Sequence, residues 1–274
     1  MWSVFLSPAN AAQHEEMTAE LWERGTAGIM DAADGFRAYF EDERSARKAA
    51  FDLLSDASGV REEPAPELLP ENCKDWEPVY AATRFVIVPT GRRGEFAFGP
   101  RLVLEVNAGM AFGSGRHETT QLCLEALEQY LKAGHAVLDV GCGSGILALA
   151  AQKLGAGSVV ACDIQEDAIR TAREHFSGAL VQGSADCVRN GFADIVLANV
   201  SARINDRLAA DLRRVLKPDG VLITSGFIEG NVPQSFQPSK EMQRGEWLCW
   251  ICTADGIRPL ATTDDANVHS LNWY

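Results

Sequence analysis

Residues 137–145, Val-Leu-Asp-Val-Gly-Cys-Gly-Ser-Gly, concentrate more chemistry than any other stretch of the chain. A short apolar run carries an acid, Asp139, then breaks into Gly141, Gly143 and Gly145, and the run Ile146-Leu-Ala-Leu-Ala-Ala151 follows at once. That order reads as strand, tight glycine loop and helix, the nucleotide-binding opening of a βαβ unit. Glycine suits the loop because a Cβ bars positive φ and keeps the backbone away from a ligand. A dinucleotide fingerprint requires Gly-x-Gly-x-x-Gly, whereas here Gly145 comes one residue early and Ile146 takes the third-glycine slot. A second acid strengthens the reading. Residues 158–163, Ser-Val-Val-Ala-Cys-Asp, read as the next parallel strand, and Asp163 lies 22 residues after Gly141. An acid about 20 residues beyond the glycine loop sits at the tip of the second strand, where it can bind a ribose diol. Asp163 also precedes the helical run Glu166–Phe176 and so suits an N-cap. One carboxylate can serve both roles.

Composition narrows the setting. At 274 residues the chain is long enough for one large domain or two, with a sizeable core. Its net charge of −13 repels phosphate backbones, which argues against nucleic acid as a direct substrate and favours a basic partner. Residues 1–63 hold 6 Lys/Arg against 13 Asp/Glu, so about half of that charge lies in under a quarter of the chain. No apolar run reaches the roughly 18–20 residues of a membrane helix, and Met1-Trp-Ser-Val-Phe-Leu lacks the basic start and apolar core of a signal peptide. Seven cysteines, an odd number scattered in apolar segments, fit a reduced cytoplasmic protein with neither disulfides nor a metal. The pair Cys249-Trp-Ile-Cys252 is a C-x-x-C, but it lies in what reads as a buried strand, where side chains three apart point to opposite faces.

These residues need elements to position them. Residues 1–6 alternate like a strand, and 14–24 read as a helix with Met17 and Leu21 inward. Residues 25–30 and 35–40 read as strands around a turn, and 43–54 as a helix with Ala46, Ala50, Phe51 and Leu54 on one face. With a last strand at 58–63 this makes an N-terminal α+β domain, ferredoxin-like, over 1–63. Residues 64–106 read as linker and hairpin. Pro64, Pro66, Pro70 and Pro78 stiffen its first part, and 84–88 pairs hairpin-like with 101–106. From 107 to 253 the reading is a second domain. Strands fall near 136–140, 158–162, 179–182, 194–198 and 221–225, with helices near 146–154, 165–176 and 203–216. That is an α/β, Rossmann-like, mostly parallel sheet. Lys217-Pro-Asp-Gly220 reads as a turn, 246–253 as a last strand, and 254–274 as a polar tail.

The acid-x-Gly-x-Gly-x-Gly form is similar to that of class I S-adenosylmethionine (SAM) methyltransferases. The chain as a whole, over about residues 1–253, resembles the PrmA family, methyltransferases of large-subunit ribosomal protein L11. Gly109-Met-Ala-Phe-Gly-Ser-Gly-Arg-His-Glu-Thr-Thr120 is the most specific match, because generic methyltransferases lack it. Val160–Ile164, Asp194–Asn199, Gly245-Glu-Trp247, Leu21–Gly28 and Asp75-Trp76 with Tyr80 also match. The resemblance implies a small N-terminal domain that recognises the ribosomal protein and a class I domain, its last strand antiparallel, that binds SAM. It implies methylation of α-amino and lysine ε-amino groups. Gly141, Gly143 and Gly145 would approach the methionine portion and Asp139 would order the loop. Asp163 would take the ribose hydroxyls and Asp186 the adenine amine. Thr120 and the Phe112–Gly115 loop would close over the cofactor. Asn199, ending the fourth strand, would contact the cofactor and accept from the attacking amine, helped by the Val200 carbonyl. His117 reads as a structural hydrogen bonder, with proton acceptor as its other reading.

Four departures concern the substrate. Ser201 stands where the family has Leu or Tyr, two positions after the Asn. The linker after Tyr80 lacks the family's basic and aromatic stretch. The segment between Gly226 and Gly245 is short and interrupted by Pro233 and Pro238, so a helix there is expected to be lost. The tail is additional. Another protein, or a small amine, is therefore an alternative substrate, and a non-catalytic SAM-binding protein that docks on the ribosome is the reading from a different class.

Overall fold

The computed structural model describes residues 1–260 apart from 10–12, 15–16, 19, 22–23, 25, 27, 33, 55–57, 63–76 and 107–114. The polar tail from 261 onward lies outside the described residues, as do the linker residues Pro64, Pro66, Pro70, Asp75 and Trp76. The chain divides into two compact units, with the boundary between Pro70 and Glu71.

The first unit runs β1 (Trp2–Leu6), helical residues between 13 and 21, β2 (Gly28–Ala32), β3 (Gly35–Phe40), α1 (Glu43–Leu54) and β4 (Arg61–Glu62). Its sheet has the order β2-β3-β1-β4, antiparallel throughout, which is the ferredoxin-like arrangement. Strand alternation sends Val4, Leu6, Phe36, Ala38 and Phe40 to the side covered by Met17, Leu21, Ala46, Ala49 and Ala50. Asp42 starts α1 by accepting from the Ser45 backbone N–H at 2.9 Å and its hydroxyl at 2.7 Å. Those bonds hold its carboxyl below the usual range. The expected inward face of α1 needs correction. Phe51 is 63% and Leu54 41% exposed, and Leu53 packs against the core instead. Ala46, Ala49–Ala50 and Leu53 follow the i, i+3/i+4, i+7 stripe, and Phe51 lies one helical step, about 100°, off it.

The second unit opens with β5 (Val79–Ala81), β6 (Phe85–Pro89) and β7 (Leu102–Val106). The hairpin expected between 84–88 and 101–106 is not there, because β6 and β7 pair in parallel. Residues 90–101 are long enough for the crossover that a parallel pair requires. The antiparallel hairpin is β5–β6, turning through Ala82 at φ 50°. This small sheet belongs to the second unit, and Phe85, Ile87, Leu104 and Val106 enter that unit's core.

The main sheet is built from β8 (Ala136–Val140), β9 (Ser158–Asp163), β10 (Ala179–Gln182), β11 (Ala193–Asn199), β12 (Leu216–Ile228), β13 (Lys240–Arg244) and β14 (Trp247–Thr253). Its order is β10-β9-β8-β11-β12-β14-β13, parallel through β12, with β14 and β13 antiparallel. Four helices cover it: α2 (Glu118–Tyr130), α3 (Ile146–Lys153), α4 (Glu166–Arg173) and α5 (Ala202–Val215). Both faces of the central strands β8, β11 and β14 are buried, so these strands are apolar almost throughout. Val137, Ile195, Leu197 and Ile223 pack on the side of α2, α3 and α4, while Leu138, Val140, Val196 and Leu222 pack on the side of α5. Cys249 and Cys252 fall in these two opposite clusters, so the C-x-x-C is core. Burial pushes the Cys252 thiol up to about 12.

Lys217-Pro-Asp-Gly220 is not a free turn. It lies within β12, where the register jumps from Ala193↔Leu216 to Ile195↔Val221 and these four residues leave the ladder as a bulge. Lys217 from the bulge pairs with Asp194 at 2.6 Å, and the Asp194 carboxylate also accepts from the Ala136 N–H at 2.8 Å. Partial burial works against ionisation of Asp194, but these two partners outweigh it and lower its pKa. Residues 229–239 carry no helix, as the short, proline-interrupted segment implied.

Candidate functional site

The strand order reverses between β8 and β11, because β8 continues to β9 on one side while β11 continues to β12 on the other. Ligands of open α/β sheets bind outside the carboxyl ends of the strands at such a switch point. Asp139, the glycine loop, Asp163 and Asn199 all lie at or just beyond that edge, on β8, β9 and β11. Asp186 follows β10 in a short 3₁₀ turn, Ala185–Cys187, and is exposed.

The glycine loop has φ of 68° at Gly141, 51° at Gly143 and 76° at Gly145, a backbone that L side chains rarely adopt. Two of these glycines are also required by packing within the chain. A Cβ at Gly141 would stand 2.7 Å from Val200 Cγ1, and one at Gly145 2.9 Å from Ala172 Cβ on α4. Gly145 is the N-cap of α3 and has no side chain to offer the helix. Asp139 supplies that function from the preceding strand, accepting the Ala148 N–H at 3.0 Å. Burial pushes the Asp139 carboxyl up to about 7, with a further upward push from the Asp163 charge and a partial counterweight from the Ala148 bond.

Asp163 is half-buried and tied to the loop. One oxygen accepts from the Gly143 N–H and the other from the Gln165 N–H, both at 3.0 Å. Burial raises its pKa, and these backbone bonds work against the rise. A carboxylate has about four acceptor positions, so capacity for a diol remains on each oxygen. The N-cap expected at Asp163 is instead Gln165, whose side chain makes no capping bond to α4, and Asp163 accepts the N–H of that cap residue.

At the other side of the switch point, the Asn199 side-chain oxygen is buried with no hydrogen-bond partner among the described residues. A buried acceptor left empty carries a desolvation cost that a donor from a ligand would relieve. Val200 is wedged between two glycines. Its side chain faces Gly141, and a Cβ on Gly226, which has φ 96°, would lie 2.5 Å from its carbonyl oxygen. Ser201 caps α5, its hydroxyl accepting the Ile204 N–H at 3.5 Å.

Other expected residues are placed as follows. Thr120 is buried in the first turn of α2. Phe112 lies outside the described residues, and at Gly115 an added Cβ would run into Ile87 and stand 2.9 Å from Ile146 Cδ1 at the start of α3. His117 is the N-cap of α2. Its Nδ1 accepts the Thr119 N–H at 3.3 Å, and its ring meets Trp247 edge-on at 4.5 Å between centroids. An Nδ1 engaged as acceptor in a cap serves structure, in keeping with the structural reading. Among the described residues no group of three or more His, Cys, Asp or Glu could hold a metal ion.

Sequence reasoning missed three supporting groups. Arg214 clamps the segment that carries Asp186, donating to the Ala185 and Val188 carbonyls at 3.0 and 2.7 Å and to the Asn190 side chain at 2.7 Å. Asn205 and Thr224 form a buried pair beneath Val200, with 2.8 Å between Thr224 Oγ1 and Asn205 Oδ1. The only sequence signal for Asn205 is a polar residue on the inward stripe of an amphipathic helix.

The family model described as ribosomal protein L11 methyltransferase (PrmA) matches residues 10–255. The ribosomal protein L11 methyltransferase of Geobacillus thermodenitrificans is 44% identical over 163 residues, covering 57% of this chain and 52% of the relative. That of Geobacter metallireducens is 44% identical over 200 residues, covering 65% and 64%. The chain thus spans about half the length of the first relative and under two thirds of the second. The crystal structure of the ribosomal protein L11 methylase from Lactobacillus delbrueckii subsp. bulgaricus superposes with a TM-score of 0.60 at 32% identity, covering 65% of this chain and 98% of that one.

Proposed function

The chain belongs to the PrmA family of ribosomal protein L11 methyltransferases, and from that premise we propose that it is a SAM-dependent N-methyltransferase acting on α-amino and lysine ε-amino groups of ribosomal protein L11. The observation that carries the reading is the empty, buried acceptor of Asn199 at the switch point, across from the glycine loop. SAM, when bound, supplies a methyl group already activated by its sulfonium. The chain has only to bind, orient and exclude water.

In this reading Asp163 holds the ribose hydroxyls and the glycine loop lies against the methionine portion. Asp186 meets the adenine amine, and Thr120 with the Phe112–Gly115 loop closes the site. Asn199 accepts an N–H from the incoming amine and aims its lone pair, an orientation effect. A carboxamide cannot take up a proton, so the amine must arrive neutral. An α-amine, with a pKa of about 7.7–8, meets that condition at cellular pH far more readily than a lysine at about 10.4. The net charge of −13 suits a basic protein partner rather than nucleic acid, and the reaction belongs in the cytoplasm. Among the described residues no helix is long and apolar enough to cross a membrane.

One observation favours a second substrate. Ser201 stands in place of the larger Leu or Tyr that the family resemblance implies and is engaged in capping α5, which changes the lining next to Asn199. The two readings separate when labelled SAM is supplied to purified L11 and to a ribosome-free extract side by side. Label on L11 supports the proposal. Label only on other proteins or small amines moves the substrate elsewhere. SAM binding without transfer to anything points to the non-catalytic reading.

A further inference from the structure

The peptide that follows Asn199 is held by a side chain outside the expected cofactor contacts. Asn205, in the first turns of α5, is completely buried. Its Nδ2 donates to the Val200 carbonyl at 2.7 Å and to the Ser201 carbonyl at 3.2 Å. Its Oδ1 accepts from the hydroxyl of Thr224 on β12, also completely buried. Two carbonyls on one side and a hydroxyl on the other leave the carboxamide a single satisfied orientation, and every polar group in the cluster is paired. The preceding peptide, Asn199–Val200, is gripped from the sheet, where the Val200 N–H donates to the Ser225 carbonyl at 3.1 Å. Gly141 and Gly226 close on it from both sides, so Val200 has little room to shift without displacing the glycine loop.

We propose that Asn205 is a positioning residue for the reaction, fixing the Val200–Ser201 peptide so that the Asn199 oxygen stays aimed at the incoming amine. The proposal rests on the methyltransferase reading above. A buried amide is an expensive way to fill a helix–sheet interface that a leucine would fill, and its two donors go to the residues directly after Asn199 and nowhere else.

The test compares three variants of the full chain. N205L removes both carbonyl donors and the bond to Thr224. T224V removes only the Thr224 bond. N205D keeps the shape and the Thr224 bond while leaving at most one donor. The expected result is a loss of about 10–100-fold in kcat for N205L, a smaller loss for N205D and a change within a few-fold for T224V. SAM affinity by calorimetry should stay within about two-fold of the parent protein in all three, which also certifies folding. Hydrogen exchange over residues 199–204 should quicken in N205L and not in T224V. Parent-like kcat in N205L and N205D, or equal losses in N205L and T224V, would overturn the proposal. If the parent protein transfers no methyl to any amine, the functional reading fails. The exchange comparison then decides the positioning role alone, with faster exchange in N205L supporting it and unchanged exchange refuting it.

Discussion

Asn199 and Asp139 both stand near the ends of neighbouring strands, yet burial and partners give them opposite tasks. Asn199 keeps an empty acceptor at the edge of the sheet, whereas Asp139 spends its acceptor on a first-turn amide of α3. Asn199→Ala should therefore lower turnover by about 100-fold while leaving SAM affinity within a few-fold, read by transfer kinetics and calorimetry on one preparation. A parallel loss of affinity would make cofactor contact, rather than amine orientation, the main task of Asn199. For Asp139 the expectation is a pH effect on stability. Its pKa is about 7 in the folded protein, above its ordinary value of 3.8, chiefly because it is buried. The folded state then binds more protons than the unfolded one between about pH 4 and 7, so stability falls as pH rises through that window. Asp139→Asn retains an acceptor for Ala148 and cannot ionise. Its stability relative to the parent should grow from pH 4 to pH 7, by at most about 4 kcal/mol, and level off above. Urea unfolding midpoints at pH 5 and 8 check this, and a pH-independent difference would refute it. Asp139, Asp163 and the glycines were legible in the sequence because they depend on local order, strand then turn then helix. Asn205 and Thr224 were not, since their pairing is made by α5 folding back across β12.

At the scale of elements, apolar runs announced the parallel strands, and β8, β9, β10 and β11 lie where the runs do. The strands that escaped or were misread share a physical reason. β13 is an edge strand, Lys-Glu-Met-Gln-Arg, with one side open and little apolar signal. Arg244 from this strand bonds Gln121 and Glu125 of α2, a contact with no local signature. Direction is equally invisible in composition, so β6–β7 read as a hairpin although they run in parallel. Glycine need is similar, because Gly226 and Gly230 look alike in sequence and both have positive φ, 96° and 88°. Of the two, only Gly226 abuts backbone, since a Cβ there would stand 2.5 Å from the Val200 oxygen, while Gly230 faces open space. Gly226→Ala should thus cost the roughly 1–3 kcal/mol of backbone strain plus the displacement of Val200, lowering the melting temperature by about 5 °C or more and reducing turnover. Gly230→Ala should cost the strain alone and leave turnover intact. Equal effects in the two variants would show that contact with Val200 carries no weight.

At the scale of the whole molecule, each unit has its own core, and all the candidate site residues fall within 71–260. A chain starting at residue 71 should fold cooperatively and bind SAM within a few-fold of the full protein, yet transfer methyl to L11 far more slowly. Loss of SAM binding in that chain would mean that the first unit helps to build the cofactor site. The acidity of residues 1–63 adds a kinetic expectation that belongs to the same partner, since attraction of a basic protein weakens as salt screens it. The decisive measurement is mass spectrometry of purified L11 after incubation with the full chain and methyl-labelled SAM. Mass increments of whole methyl groups are expected on L11, mapped to its N-terminal amine or lysines and accumulating about 100-fold more slowly with Asn199→Ala. An unmodified L11, in a preparation shown by calorimetry to bind SAM, would contradict the assignment of L11 as the substrate.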